Sequence, residues 1–166
     1  MDSIKSKLEI VESEIKNIDI PTWETLPGIE LYMDQVIELL NRYISIIKNE
    51  DGESEKITKS MINNYVKSKV VPAPVKKRYS KTHMAYLIIV CFMKQVFSIS
   101  VIKKIMPDFE DEEGIIKMYN IFIGYIKGVS SEDVQKYFAH CQSGDDCIIK
   151  LSTESIMLKI VTQWLI

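Results

Sequence analysis

Ser60, Asn63, Asn64 and Lys67 stand at i, i+3, i+4 and i+7, the spacing that gathers side chains on one face of an α-helix. These residue types can read nucleobases. An Asn amide makes bidentate contacts to adenine, a Ser hydroxyl is adaptable, and Lys reaches guanine or a phosphate. Further along, Lys76-Lys77-Arg78 offers cations suited to phosphate oxygens, contacts that position a protein on a duplex without reading its sequence. The candidate site comprises Lys59, Ser60, Asn63, Asn64, Lys67, Lys69, Lys76, Lys77, Arg78 and Lys81, and double-stranded DNA is the partner it fits. Taken alone, Asn63-Asn64 is better explained as a solvated polar face; the surrounding charge shifts the balance toward recognition.

That charge is segregated. From Lys56 to Pro107 there is no Asp or Glu, and eleven basic residues fall there, leaving ten basic and all 23 acidic residues to the flanks. The centre carries +11 and the flanks −13, although the formal net charge is only −2. Such a block is the electrostatic footprint of a polyanionic partner. The alternative is that the acidic flanks fold back and neutralise it.

Other reactive residues form weaker sets. His140, Cys141 and Cys147 could ligate a metal, but their spacing matches no zinc pattern and a fourth ligand is missing. Cys91 falls on an apolar helical face and reads as a buried small hydrophobe. His83, in a helical first turn beside basic residues, reads as a surface residue or a DNA neighbour. The consecutive carboxylates Glu110 to Glu113 fan around a helix rather than converge. Without a Gly-rich phosphate loop or a Ser/His/Asp or Cys/His set, neither an enzyme nor a cofactor is expected.

Helices must position these residues. Thr58 is a good N-cap, with Ile57 and Ile62 as a hydrophobic staple, for a helix reaching about Lys69. Met61, Ile62, Tyr65 and Val66 form its opposite, apolar side. Val70-Val71 is extended, Pro72-Ala73-Pro74 turns the chain, and Val75 to Tyr79 can pair back as a small basic hairpin. Ser80 caps a helix to about Gln95, with Tyr79 and Met84 as a second staple, and Ser98 or Ser100 starts a short one that stops at Pro107. Before this centre, Ile4, Leu8, Val11, Ile15 and Ile18 give residues 2–18 an amphipathic stripe. A rigid loop and a helix from about Glu30 to Lys48 follow, the latter burying Tyr32, Val36, Leu39, Leu40, Tyr43 and Ile47. After the centre come three helices: Glu110 to Lys127 closed by Gly128, Ser130 to Cys141, and one from the 143–146 loop to Leu165.

The order helix, helix, basic hairpin, helix, helix is that of a winged helix-turn-helix whose second helix reads the major groove. Low Gly and Pro content agrees with an all-α chain. The expected segments are 1–19, an N-terminal helix; 20–107, the DNA-binding part; and 108–166, a helical part for dimerisation or sensing. The Ile4–Ile18 stripe and a last helix bearing Ile156, Ile160, Trp164 and Ile166 are candidate homodimer surfaces. The aromatics Tyr119, Phe122, Tyr125, Tyr137, Phe138 and Trp164 could instead line a small-ligand pocket, or simply form core. The N-terminus lacks the apolar core of a signal peptide and the longest charge-free apolar stretch, Met84 to Met93, is too short to span a membrane, so the cytoplasm and three reduced thiols are expected.

The run from Ile57 to Lys67, with Val70-Val71-Pro72-Ala73-Pro74 and Lys77-Arg78-Tyr79-Ser80, resembles a bacterial family known as domain of unknown function 1836, as do Ile20-Pro21-Thr22-Trp23 and Leu31 to Val36. The resemblance spans roughly residues 20–125 and implies no established activity. The core is in turn similar to MerR-type DNA-binding domains. Tyr65, Val70-Val71-Pro72, Lys77-Arg78-Tyr79 and Ser80 fall in the order of their reading helix, wing and Ser-capped helix, and Ser98 to Ile102 is similar to the start of their fourth helix. This chain departs at the connector Asn49 to Lys56, which is longer than a tight turn, and at Lys69, where glycine is usual. The resemblance implies a DNA-binding regulator; the rival is an interaction module that turns the same basic face toward an acidic protein.

Overall fold

The computed structural model describes residues 2–49, 51–139, 141 and 143–166, with side chains from Ser6 onward. Among these residues it has eight helices: α1 (Asp2–Lys16), α2 (Met33–Tyr43), α3 (Lys59–Lys67), α4 (Lys81–Met93), α5 (Ile99–Ile105), α6 (Glu112–Gly128), α7 (Ser131–Phe138) and α8 (Gly144–Trp164). Extended pairing among them is confined to isolated bridges. The chain is all-α, as its composition implied. No helix among the described residues is long and apolar enough to cross a membrane.

Two compact units form. Asp19–Ile126 is one, and the residues up to 18 with Lys127–Ile166 are the other. The first is organised around α4. Every residue from Met84 to Cys91 is at most 2% exposed, so this helix has no solvent face, as its apolar run requires. Burying each large side chain contributes about 2 kcal/mol. Desolvation within this core pushes the Cys91 thiol up to about 12, which keeps it neutral. α2 packs on α4 and α3.

Hydrogen bonds and ring contacts tie α6 and the segment before it to this centre. The Tyr86 hydroxyl lies 3.1 Å from the carbonyl of Pro107 and 3.2 Å from that of Asp108. Tyr119 donates to the Pro21 carbonyl at 2.8 Å and meets Trp23 edge-on, and Phe92 meets Phe122. The division expected after Pro107 therefore falls inside this unit.

Several local expectations need correction. Tyr32 precedes α2 and is 57% exposed instead of lying in its buried stripe. The segment 49–55 is more than a polar connector. Lys48 bridges Ser54, and the Asn49 side chain accepts the N–H groups of Asp51 and Glu53. Gly128 lies within α6 rather than beyond it.

In the other unit, α1 packs on α7. Ser130 and Ser143 cap α7 and α8, each hydroxyl accepting the N–H three residues on. The side chain of Ile4, from the expected stripe, lies outside the described residues. Cys141 and Cys147 are joined by a disulfide, their Cα atoms 5.2 Å apart. This corrects the expectation of three reduced thiols: the end of α7 and the start of α8 hold the two within bonding reach. His140, the third member of the supposed metal trio, lies outside the described residues. The six aromatics suggested as a pocket divide between the two units. Tyr119 is core, whereas Tyr125 and Trp164 are 79% and 87% exposed.

Candidate nucleic-acid interface

α3 begins where its sequence signals placed it. The Thr58 hydroxyl accepts the Met61 N–H at 3.3 Å, and both staple residues, Ile57 and Ile62, are buried. The Asn41 side chain holds the Ile57 N–H at 2.7 Å, which fixes the entry of α3 against α2. Ile62 and Tyr65 are buried on one side; Lys59, Ser60, Asn63, Asn64 and Lys67 are exposed on the other. The two faces read from the sequence are thus both present.

The helix ends in a Schellman motif. The Lys69 N–H bonds the Val66 carbonyl at 3.0 Å and the Val70 N–H bonds that of Tyr65 at 3.1 Å, with Val70 and Tyr65 both buried. This geometry requires a left-handed residue, and Lys69 supplies it with φ 57°. The absent glycine has left the turn intact and put a cation at its apex.

The hairpin is tighter than expected and pairs elsewhere. Val75 and Arg78 exchange N–H···O bonds at 3.2 and 2.9 Å, and the two residues between them, Lys76 and Lys77, have φ of 50° and 64°. Positive φ at both central positions is the pattern of a type I′ turn, where Asn-Gly is usual. The returning strand does not pair with Val70-Val71, which are instead buried core. Tyr79 pairs with Leu31, exchanging bonds of 2.8 Å in both directions. A partner so far back in the chain leaves no local trace.

His83 also differs from its sequence reading. It is 7% exposed. Its Nδ1 accepts the Ser80 N–H at 3.1 Å and lies 2.8 Å from the Ser80 hydroxyl, while Nε2 lies 3.1 Å from the Ala73 carbonyl. One neutral tautomer, with the proton on Nε2, satisfies all three contacts. His83 therefore clasps the turn before the hairpin to the start of α4, and Tyr79 packs edge-on against its ring.

The basic block is not wholly free of acids in space. Arg78 pairs with Glu30 at 3.4 Å and stacks over Tyr32. The Lys81 ammonium sits 4.9 Å from the centre of the Trp23 ring. The Glu24 carboxyl is held below its usual range by a backbone N–H, then by Thr22, with the charge of Lys81 adding. Lys59, Lys67, Lys69, Lys76 and Lys77 make no ion pair among the described residues. Lys103, outside the expected set, joins Lys69 at a cleft of about 200 Å³ that Asp108 and Phe109 also line. Only folding brings α5 to the end of α3.

This geometry defines an all-helical protein in which a polar helix face is followed by a cationic hairpin. Residues 21–122 match the family described as a domain of unknown function (DUF1836), more than half of the chain, and the chain belongs to that family. No curated protein and no solved structure matches it.

Proposed function

We propose that the chain is a DNA-binding transcription regulator of the cytoplasm, built on a MerR-like winged helix-turn-helix in which α3 reads bases and the 75–79 hairpin is the wing. One observation carries the reading. Among the described residues, the three non-glycine residues with positive φ are Lys69, Lys76 and Lys77, all exposed and all in the acid-free block. Glycine or asparagine would relieve strain at each position. Strain retained at cationic positions points to a task for the cations, and phosphate contacts are the task that charge and exposure fit. The exposed Ser60, Asn63, Asn64 and Lys67 then supply the groups that discriminate bases.

Selection from a random duplex library, followed by affinity measurements, tests this. Asn63→Ala or Asn64→Ala should cost about 1–3 kcal/mol on the selected site and little on random DNA. Lys76→Ala should weaken binding to both alike. Failure of the parent to enrich any sequence, with both Asn variants binding as the parent does, would remove α3 as a reading helix. Binding to acidic protein in place of DNA would then favour an interaction module using the same basic face.

A further inference from the structure

The second half of α8 is uncovered. Ile156, Leu158, Val161, Trp164 and Leu165 are 57, 67, 54, 87 and 82% exposed, and Lys159 is the sole charge from Ser155 to Ile166. Apolar side chains surround the helix instead of forming one stripe, the pattern of a helix that packs on several sides. Together the exposed apolar residues of this segment present on the order of 1,000 Å². That exceeds the few hundred Å² a monomer commonly leaves open, and it meets the ~800 Å² each partner contributes to a stable interface.

The first half of the same helix walls a concavity. Cys147, Ile148 and Leu151 of α8, Ile10 and Val11 of α1 and Phe138 of α7 line an apolar cavity of about 330 Å³, with Lys7 beside it. One helix thus carries an apolar projection at one end and an apolar hollow at the other.

We propose that a second copy of the chain satisfies both: two α8 helices pack antiparallel about a twofold axis near Ile156, and the projection of each copy fills the hollow of the other. Ile156 is equidistant in sequence from Leu151 and Val161, and from Cys147 and Leu165, and these four share one face of the helix at 3.6 residues per turn. An antiparallel pair crossing at that level lays Val161 of one copy over Leu151 of the other, and Leu165 over Cys147. An isologous contact uses each surface twice, whereas a different protein would have to bring both a matching projection and a matching hollow. The contact is separate from the DNA reading and needs no DNA.

Sedimentation velocity on the full chain without DNA, at micromolar concentration, tests the pairing. The parent should be a dimer. Val161→Glu on the projection and Ile10→Glu at the hollow should each raise the dissociation constant about tenfold or more, because each places a charge in the apolar contact. Circular dichroism checks folding. Leu165→Ala, at a freely exposed side chain on the same face, repeats the projection arm should Val161→Glu fail to fold. A parent that stays monomeric overturns the proposal, as does one whose cavity binds anilinonaphthalene sulfonate as a monomer, an outcome pointing to a small apolar ligand. A dimer that survives both the projection and the hollow variants also overturns it. A monomer that still selects DNA would leave the proposed function standing.

Discussion

Lys77 occupies a backbone conformation that most side chains avoid, and Lys69 and Lys76 share the feature. A left-handed L-residue costs about 1 kcal/mol relative to glycine, partly offset by the greater freedom glycine has in the unfolded chain. Lys77→Gly should therefore leave thermal stability unchanged or raise it by up to about 1 kcal/mol. If the cation contacts a phosphate, the same variant should bind DNA more weakly and flatten the salt dependence by about one unit. The two measurements move in opposite directions only when strain and function sit on the same residue. A variant that is stabler and binds DNA as tightly as the parent would show that Lys77 makes no phosphate contact. Arg78 is a less clean probe. Its guanidinium is engaged by Glu30 and Tyr32, so its removal disturbs the fold as well as the charge.

At the level of elements, the hairpin is held at three points. The turn closes on itself through Val75 and Arg78, Tyr79 pairs with Leu31, and His83 joins Ser80 to the Ala73 carbonyl. The last is the sole contact of the three that passes through a buried polar side chain, and such a group is costly to remove because it leaves its partners unsatisfied. His83→Ala should lower unfolding stability by about 2 kcal/mol in denaturant titration. His83→Asn should recover part of that loss, because an amide can both donate and accept. A loss below about 0.5 kcal/mol, the scale of ordinary surface substitutions, would mean that the clasp is not formed.

For the molecule as a whole, the charge pattern survives folding with local exceptions. Glu30 and Glu24 fold back against Arg78 and Lys81, as the neutralising alternative required, while five lysines of the candidate site stay without an ion pair among the described residues. Contacts to roughly six phosphates would make log affinity for duplex DNA fall against log salt with a slope near −5. Fluorescence anisotropy over a salt series measures it. A slope near zero would remove the polyanion reading, since counterion release accompanies any such contact.

Short-range physics was legible in the sequence. Thr58 before an apolar-periodic run and the polar and apolar sides of α3 follow from neighbours within one or two turns, which the chain itself keeps close. Lys69 stood out only against the MerR resemblance, in which glycine is usual at that place. Family membership was legible too, in the runs around Ile57–Lys67 and Lys77–Ser80. Tertiary structure decided what depends on partners distant in sequence. It paired Tyr79 with Leu31 rather than Val70-Val71, buried His83, set Glu30 against Arg78 and brought Lys103 beside Lys69. No propensity encodes such meetings. They arise because α4 must be covered on every side, and the segments that cover it carry their polar residues into contact as they do so.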